Sequence, residues 1–292
     1  MEAKNKAILK KIGIVAALGI LVVIFNQLTN NAFGSQRNLV MLLKQASVLM
    51  ILTSSLMMLL IEKNFDLSGG SGVYLAGTIC ALMIVKSGIS MYIAIPVTLV
   101  LGVFMGSING FFIGYLGLPA FIVTLAAQQI FRGIGYTLTD CATVGPMPSE
   151  FTAISETFIP SYVAVGIVLV ILVLFIVSNL KNYRKMGSWY GGKTKLIENI
   201  ALAAAVAAIL GWMFMGYRGC PMAVVIAVLV AFLTHLITTK TVYGRHVYLI
   251  GGNVEAAKLA GINTSKRIFQ SYLFEGLMYG IGGIVLTARL GG

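Results

Sequence analysis

Long apolar runs separated by short polar intervals dominate this chain. Nine such runs cover about residues 12–28, 39–61, 72–85, 91–115, 119–138, 161–178, 197–215, 221–238 and 268–288. An α-helix crosses the hydrocarbon core of a membrane with about 20 apolar residues, and most of the runs reach or approach that length. The pattern predicts an all-α fold, a polytopic α-helical integral membrane protein with about nine spans.

Composition supports the same class. The 292 residues are 58% hydrophobic and 10% charged, whereas soluble domains are typically about 25% charged. A chain with so little polar surface cannot cover a water-facing globule. Its 33 glycines suit closely packed membrane helices.

The net charge of +12 has two interpretations, nucleic-acid binding and orientation in a membrane. With a cytoplasmic N-terminus, 15 of the 21 Lys and Arg residues fall in inside loops, as the positive-inside rule requires. The charge therefore predicts orientation and no nucleic-acid partner. The predicted organisation is a cytoplasmic tail (1–11) and one transmembrane domain (12–292), with a cytoplasmic loop at 239–267. The inside residues are Lys4, Lys6, Lys10, Lys11, Lys63, Lys181, Arg184, Lys185, Lys193, Lys195, Lys240, Arg245, Lys258, Lys266 and Arg267.

The polar interval 243–263, YGRHVYLIGGNVEAAKLAGIN, lies between the last two apolar runs and contains E-A-A-x-x-x-G. Glu and Ala favour a helix, and Gly261 is suited to ending it. A plain helical connection explains these residue types. The functional interpretation is a short transverse coupling helix that fits a cleft on a soluble motor, with Glu255 as its anchor.

A glycine recurs every fourth residue in the fourth run, at Gly102, Gly106, Gly110 and Gly114. This spacing places all four on one helix face, where a neighbouring helix can approach closely. Helix packing is the favoured interpretation, and a helix that lines a translocation path is the alternative. Asn109 lies beside the stripe and either lines a polar route or bonds to another helix.

Other polar residues lie at or within the apolar runs. Asp66 and Ser68 precede a glycine cluster and suit an N-cap, or the positioning of a broken helix beside a substrate path. Arg132 and Glu275 are ionisable residues inside runs, which is costly and frequently functional. Their predicted depths differ by roughly 9 Å, so a direct ion pair requires tilt or snorkelling.

Enzymatic and metal chemistry have little support. There is no HExxH, paired-carboxylate or Ser/His/Asp set, and Cys80, Cys141 and Cys220 lack metal-ligand spacing. The sequence GSWYGGKT at 187–194 formally matches a phosphate-binding loop. That loop requires a preceding buried strand, which is absent from the pattern, so the match is interpreted as accidental.

Four motifs together resemble the membrane-spanning permease subunits of ATP-binding-cassette monosaccharide importers of the ribose, xylose and galactose type. They are DLSGGS at 66–71, GSINGFFIGYLGLPAFIVTLA at 106–126, RGCP at 218–221 and the interval at 243–263. The extra span before RGCP and TARL at 287–290 are most similar to the xylose or multiple-monosaccharide branch. Family members continue further, so the resemblance implies that this chain is C-terminally short.

The resemblance implies a bacterial inner-membrane subunit that is not itself an enzyme and binds no cofactor, since ATP and Mg²⁺ belong to a partner ATPase. Further implied partners are an extracytoplasmic sugar-binding protein, a second permease copy and membrane lipid. The translocation-path candidates are Asp66, Ser68, Asn109 and Arg132. The residues expected to couple to the ATPase are Gly244, Arg245, Asn253, Glu255, Ala256, Ala257 and Gly261.

The sequence leaves three alternatives open. The same scaffold can carry a nucleoside or another small polar solute. The chain can be a non-transporting remnant that only associates with membrane partners. An intramembrane enzyme is the third alternative, and the missing catalytic set opposes it.

Overall fold

The structure is a computed structural model that describes residue 13, residues 17–186 and residues 192–291. Most of GSWYGGKT therefore lies outside the described residues. Helices α3 (Gly69–Ala81) and α4 (Met91–Gly110) continue as π-helical segments at Leu82–Lys86 and Phe111–Tyr115. Two strands of two residues each, β1 (Phe158–Ile159) and β2 (Cys220–Pro221), form a small sheet. The helices are α1 (Ala17–Leu28), α2 (Gln36–Ile61), α3 (Gly69–Ala81), α4 (Met91–Gly110), α5 (Ala120–Thr139), α6 (Ser149–Glu156), α7 (Ser161–Met186), α8 (Gly192–Gly216), α9 (Met222–Lys240), α10 (Val242–Gly252), α11 (Val254–Leu259) and α12 (Thr264–Leu290).

Seven helical segments of the described chain are long and apolar enough to cross a membrane. They include α2, which continues unbroken through Lys44, and α3 and α4 with their π-helical extensions. Helices α1 and α5 correspond to the other two predicted runs. Helix α1 is shorter, and α5 has 20 residues but is not one of the seven segments. The predicted polytopic all-α fold is confirmed at this level. The seven segments are Gln36–Ile61, Gly69–Lys86, Met91–Tyr115, Ser161–Lys185, Gly192–Gly216, Met222–Lys240 and Thr264–Leu290.

The chain divides into two compact units. The first comprises Met1–Leu43 and Phe158–Cys220, and in it α7 packs against α8. The second comprises Lys44–Thr157 and Pro221–Gly292 and contains the polar residues discussed below. Its central helix is α12, which packs against α3 and α4.

The α4–α12 contact is a backbone contact made possible by glycine. A Cβ atom built on Gly102 would lie 2.4 Å from the Gly276 carbonyl oxygen, and one built on Gly276 would lie 2.4 Å from the Gly102 carbonyl oxygen. At Gly106 the added atom would lie 2.2 Å from the Tyr272 carbonyl oxygen. Gly110 and Gly114 face the same helix, with 2.9 Å to Tyr272 Cβ and 2.8 Å to the Ser265 carbonyl oxygen. All four glycines of the stripe thus lie where α4 approaches α12.

We predict that Gly106→Ala destabilises the protein by about 1–3 kcal/mol, because the methyl group must push α12 away. Gly133→Ala on α5 is the matched control, since no atom of the described residues lies within 4 Å of a Cβ there. The control should be neutral or stabilising by about 0.5–1 kcal/mol, because alanine favours a helix. Thermal unfolding in detergent measures both, and equal melting temperatures would contradict the prediction.

Candidate functional site

A buried hydrogen-bond network joins the start of α3 to α4 and α12. The Ser68 hydroxyl donates to Asp66 Oδ1 at 2.6 Å, and Asn109 Nδ2 donates to Ser68 Oγ at 3.0 Å. The Tyr279 hydroxyl donates to Asp66 Oδ2 and lies 3.1 Å from Ser68 Oγ. Ser68, Asn109 and Tyr279 are completely buried. Three of the four predicted path residues are therefore in one cluster, which is closed to solvent in this conformation.

The predicted capping role of this segment takes a different form. Ser68 occupies the N-cap position of α3, but its side chain makes no capping hydrogen bond. Its hydroxyl is instead committed to Asp66, and Asp66 Oδ1 also accepts from the Ser68 backbone N–H at 2.7 Å. The Asp66 side chain thus organises its own turn two residues ahead. The N-cap interpretation of the Ser68 hydroxyl is wrong because its oxygen accepts from Asn109 Nδ2 and from no backbone N–H of α3.

Glu275 lies on α12 beside this network and does not pair with Arg132. Its side chain is 1% exposed and faces Ser55 and the Asp66 carboxyl. Glu275 Oε2 has no hydrogen-bond partner among the described residues. Arg132 is exposed on α5, and no salt bridge within the described ranges includes either residue. Arg132 is the one predicted path residue that lies apart from the cluster.

Lys44, the other basic residue inside an apolar run, has a local partner. Its ammonium group forms a salt bridge with Glu156 at the end of α6. The Lys44 side chain is buried, so the pair neutralises a charge that would otherwise be costly within α2.

The interval 243–263 folds as two short helices rather than one. The Thr241 side chain caps α10 by accepting from the Gly244 N–H at 3.1 Å. Asn253 caps α11 by accepting from the Ala256 N–H at 3.0 Å. Gly261 follows α11 with φ +80°, a backbone conformation that is unfavourable for residues with a side chain. The predicted E-A-A helix is present, and its glycine occupies the turn after it.

The seven residues expected to couple divide by exposure. Gly244 and Ala257 are buried against this chain. At Gly244 a Cβ would lie 2.1 Å from the Thr238 carbonyl oxygen, so glycine permits the tight junction of α9 and α10. The others lie on the surface, where Glu255 forms an exposed 2.9 Å salt bridge with Lys258. The exposed members are Arg245, Asn253, Glu255, Ala256 and Gly261.

A second buried polar chain attaches this loop to the spans. The Ser271 hydroxyl donates to Glu62 Oε1 at 2.9 Å, and the Tyr243 hydroxyl lies 2.5 Å from Ser271 Oγ. Because Ser271 has one hydroxyl hydrogen, Tyr243 donates to Ser271 when Ser271 donates to Glu62. The chain of hydrogen bonds thus connects α10 through α12 to the end of α2. Gly251 strengthens the junction, since a Cβ there would lie 1.7 Å from the Ile61 carbonyl oxygen.

Burial changes the acidity of both carboxyl groups that follow α2. Desolvation raises the pKa of Glu62 to about 8, and the Ser271 hydrogen bond only partly opposes it. Burial also raises the pKa of Asp66 above its ordinary range, against hydrogen bonds from Ser68 and Tyr279. At neutral pH, Glu62 is therefore largely protonated and uncharged.

Several members of this arrangement are absent from the sequence-based set. Tyr279, Ser271, Tyr243 and Glu62 are ordinary residues in an apolar helix or a polar interval when read along the chain. Tyr279 and Asp66 are separated by 213 positions, and Ser271 and Glu62 by 209. A tyrosine within a glycine-rich helix, whose hydroxyl needs a buried partner, was the one available signal. Within the described ranges, no three His, Cys, Asp or Glu residues are grouped to hold a metal ion.

Comparison with known proteins places this arrangement in a family. The sequence profile described as "Branched-chain amino acid transport system / permease component" matches residues 38–292. The chain belongs to this family. It is therefore a multi-pass permease of the plasma membrane, and its family is one of transporter subunits rather than catalytic enzymes. The predicted membership in the permease class is confirmed.

Curated relatives of this permease include several named sugar permeases. It is 33% identical over 280 residues to the xylose transport system permease protein XylH of Escherichia coli K12, covering 95% of this chain and 71% of the relative. It is 27% identical over 308 residues to the galactose/methyl galactoside import permease protein MglC of the same strain, covering 100% of this chain and 76% of the relative. It is 25% identical over 282 residues to the D-allose transport system permease protein AlsC, also of that strain, covering 96% of this chain and 68% of the relative. No solved structure matches the chain.

We predict that Glu62→Gln flattens the dependence of stability on pH. With a pKa raised from 4.5 to about 8, native Glu62 retains a proton that the unfolded chain releases. Wild-type stability is therefore lost as pH rises from about 4.5 to 8, whereas glutamine does not ionise. The melting temperature of the variant relative to wild type should rise by roughly 5 °C between pH 5 and pH 8.5.

Glu150→Gln, at an exposed position in α6, is the control and should leave the wild-type pH dependence unchanged. Parallel curves for wild type and Glu62→Gln across this range would show that Glu62 is not buried in its neutral form.

Proposed function

We propose that this permease is the membrane subunit of an ATP-driven monosaccharide importer. The observation that carries the proposal is the capped α10–α11 loop, which is exposed on one side and bonded to the spans on the other. An exposed helix that is rigidly joined to membrane helices can transmit the movement of a bound partner. Family membership and the sugar permeases among the relatives support the same function.

The proposed topology has nine spans and a cytoplasmic N-terminus, with α1 and α5 as spans besides the seven strongly apolar segments. The distribution of Lys and Arg supports this orientation. It puts loop 239–267 in the cytoplasm, where two ATPase subunits dock and supply ATP and Mg²⁺. An extracytoplasmic sugar-binding protein delivers substrate, and a second permease copy completes the translocation pathway in the lipid bilayer.

In this proposal α11 is the coupling helix. Glu255, Ala256 and Lys258 are exposed on it, while Ala257 fixes the helix to the permease. Leu259 is 91% exposed and gives the same short helix an apolar contact. A partner cleft that receives α11 would bury this leucine and an ion pair that contributes little to folding while exposed. A nucleoside or another small polar solute remains the second candidate substrate class, since this scaffold alone does not fix the cargo.

We predict that Glu255→Lys reduces co-purification of the ATPase by about tenfold or more, because it places like charges beside Lys258 and reverses the anchor. Gly261→Asp should have the same effect, since φ +80° strains a residue with a side chain. Membrane insertion of both variants should be retained, and the thermal stability of Glu255→Lys should change little because the Glu255–Lys258 pair is solvent-exposed. Pull-down of the tagged permease measures the partner.

Glu150→Lys provides the matched charge reversal on α6, at a site that the proposed topology places on the opposite side of the membrane. It should retain full ATPase association. Normal association of both loop variants would exclude this loop as the docking surface.

We also expect uptake of radiolabelled D-xylose or D-galactose into liposomes to require the permease, the ATPase and the sugar-binding protein together. Omission of any one should reduce uptake to background. Transport by the permease alone would contradict the proposed dependence on partners.

A further inference from the structure

A cavity of about 290 Å³ lies within the second unit, between the C-terminal halves of α3, α5 and α12. Its wall is completed by the segment that follows α5, which includes Cys141 and Thr143. Known ligand pockets have volumes of about 300–1,000 Å³, so this cavity lies at the lower limit of that range, with room for one small molecule. It lies at the opposite end of α12 from the α10–α11 loop.

The lining combines aromatic rings with hydroxyl groups. Tyr74 and Tyr136 both line the cavity, and their rings meet edge to face with centroids 5.6 Å apart. Thr78, Thr143 and Thr287 contribute hydroxyl groups. In the described part of the chain, none of these five hydroxyls has an intramolecular hydrogen bond. They are therefore available both to donate and to accept.

Among the residues that the structure describes, no charged side chain lines the cavity. A charged ligand would lose its hydration there without gaining an opposite charge, which is costly. A neutral ligand with several hydroxyl groups avoids this cost and matches the donors and acceptors of the wall. The C–H face of a sugar ring can also lie against a tyrosine ring.

Two glycines shape the cavity. A Cβ on Gly135 would lie 2.3 Å from Tyr74 Cε1, and one on Gly77 would lie 2.5 Å from Thr287 Oγ1. Both lining side chains thus occupy space that only glycine leaves free. Their positions are set by helix packing, so the wall is largely preformed.

We propose that this cavity binds one neutral monosaccharide and is the first permease site that the sugar contacts. The inference rests on the proposed function, in which the cavity end of α12 faces the extracytoplasmic side. Tyr136 supplies the stacking surface, and the threonine hydroxyls of α3 and α12 bond to the sugar hydroxyls. The site discriminates against charged sugars because its wall carries no counter-charge.

Cys141 provides the readout, because it lines the cavity and is exposed, whereas Cys80 and Cys220 are buried. The full-length permease in lipid nanodiscs is alkylated with a maleimide, with and without D-xylose, D-galactose or D-galacturonate. The neutral sugars should slow labelling of Cys141 in a saturable manner, and the charged D-galacturonate should not. Cys141→Ser should abolish the labelling and so identifies the reporter.

Variants of the wall test which groups bind. Tyr136→Leu should raise the half-protecting sugar concentration roughly tenfold through loss of the aromatic face. Thr287→Val, which is nearly isosteric, should raise it about fivefold through loss of one hydrogen bond. Tyr92→Leu and Thr137→Val are matched controls outside the lining and should match the wild type.

The outcomes separate this inference from the proposed function. If the reconstituted importer takes up sugar while no neutral sugar protects Cys141, the cavity is not a sugar site and the importer function stands. Equal protection by D-galacturonate, or unchanged protection in both wall variants, would also overturn the site. Protection that is lost in the wall variants, in a complex that transports no sugar, would support the site and refute the import function.

Discussion

The close approach of α4 and α12 is the constraint on which the second unit depends. Between membrane helices the hydrophobic effect supplies little attraction, so van der Waals contact and hydrogen bonds must hold them together. A Cβ atom added to Gly102 or Gly276 would lie 2.4 Å from the carbonyl oxygen of the other residue, so the two backbones meet with no side chain between them. Tyr272 and Tyr279 extend from α12 around this contact, and their positions are fixed by it.

The buried network follows from that contact. Asn109 on α4 and Tyr279 on α12 both reach Ser68 only because glycines let the two helices approach so closely. Gly72 adds the third requirement, since a Cβ there would lie 2.7 Å from the Tyr279 ring. Unpaired polar groups are expensive in a membrane, so the network favours one arrangement of α3, α4 and α12. The same polar groups would need water or new partners if the helices separated.

Local sequence patterns predict much of this structure. They do not predict the contacts that join residues far apart in the chain. The apolar runs, the four-residue glycine spacing and the E-A-A segment each depend on neighbours within a few turns of helix. The role of Ser68 could not be assigned from such patterns, because its hydroxyl oxygen accepts from Asn109, 41 positions further along the chain. Arg132 was grouped with the polar path on hydropathy alone, and hydropathy does not say which face of α5 it occupies. The Glu62–Ser271–Tyr243 chain joins three segments whose local patterns are unrelated.

Helix α12 connects the α10–α11 loop to the cavity. Its 27 residues extend about 40 Å, and the part from Ser271 near the α10–α11 loop to Thr287 at the cavity spans about 24 Å. A helix packed backbone to backbone cannot bend continuously, because small shifts produce overlaps along the whole glycine contact. Displacement at the loop end would therefore move α12 as a body and change the cavity wall at Thr287. The glycine contact that fixes the resting structure is thus also what would carry a signal from one end of the helix to the other.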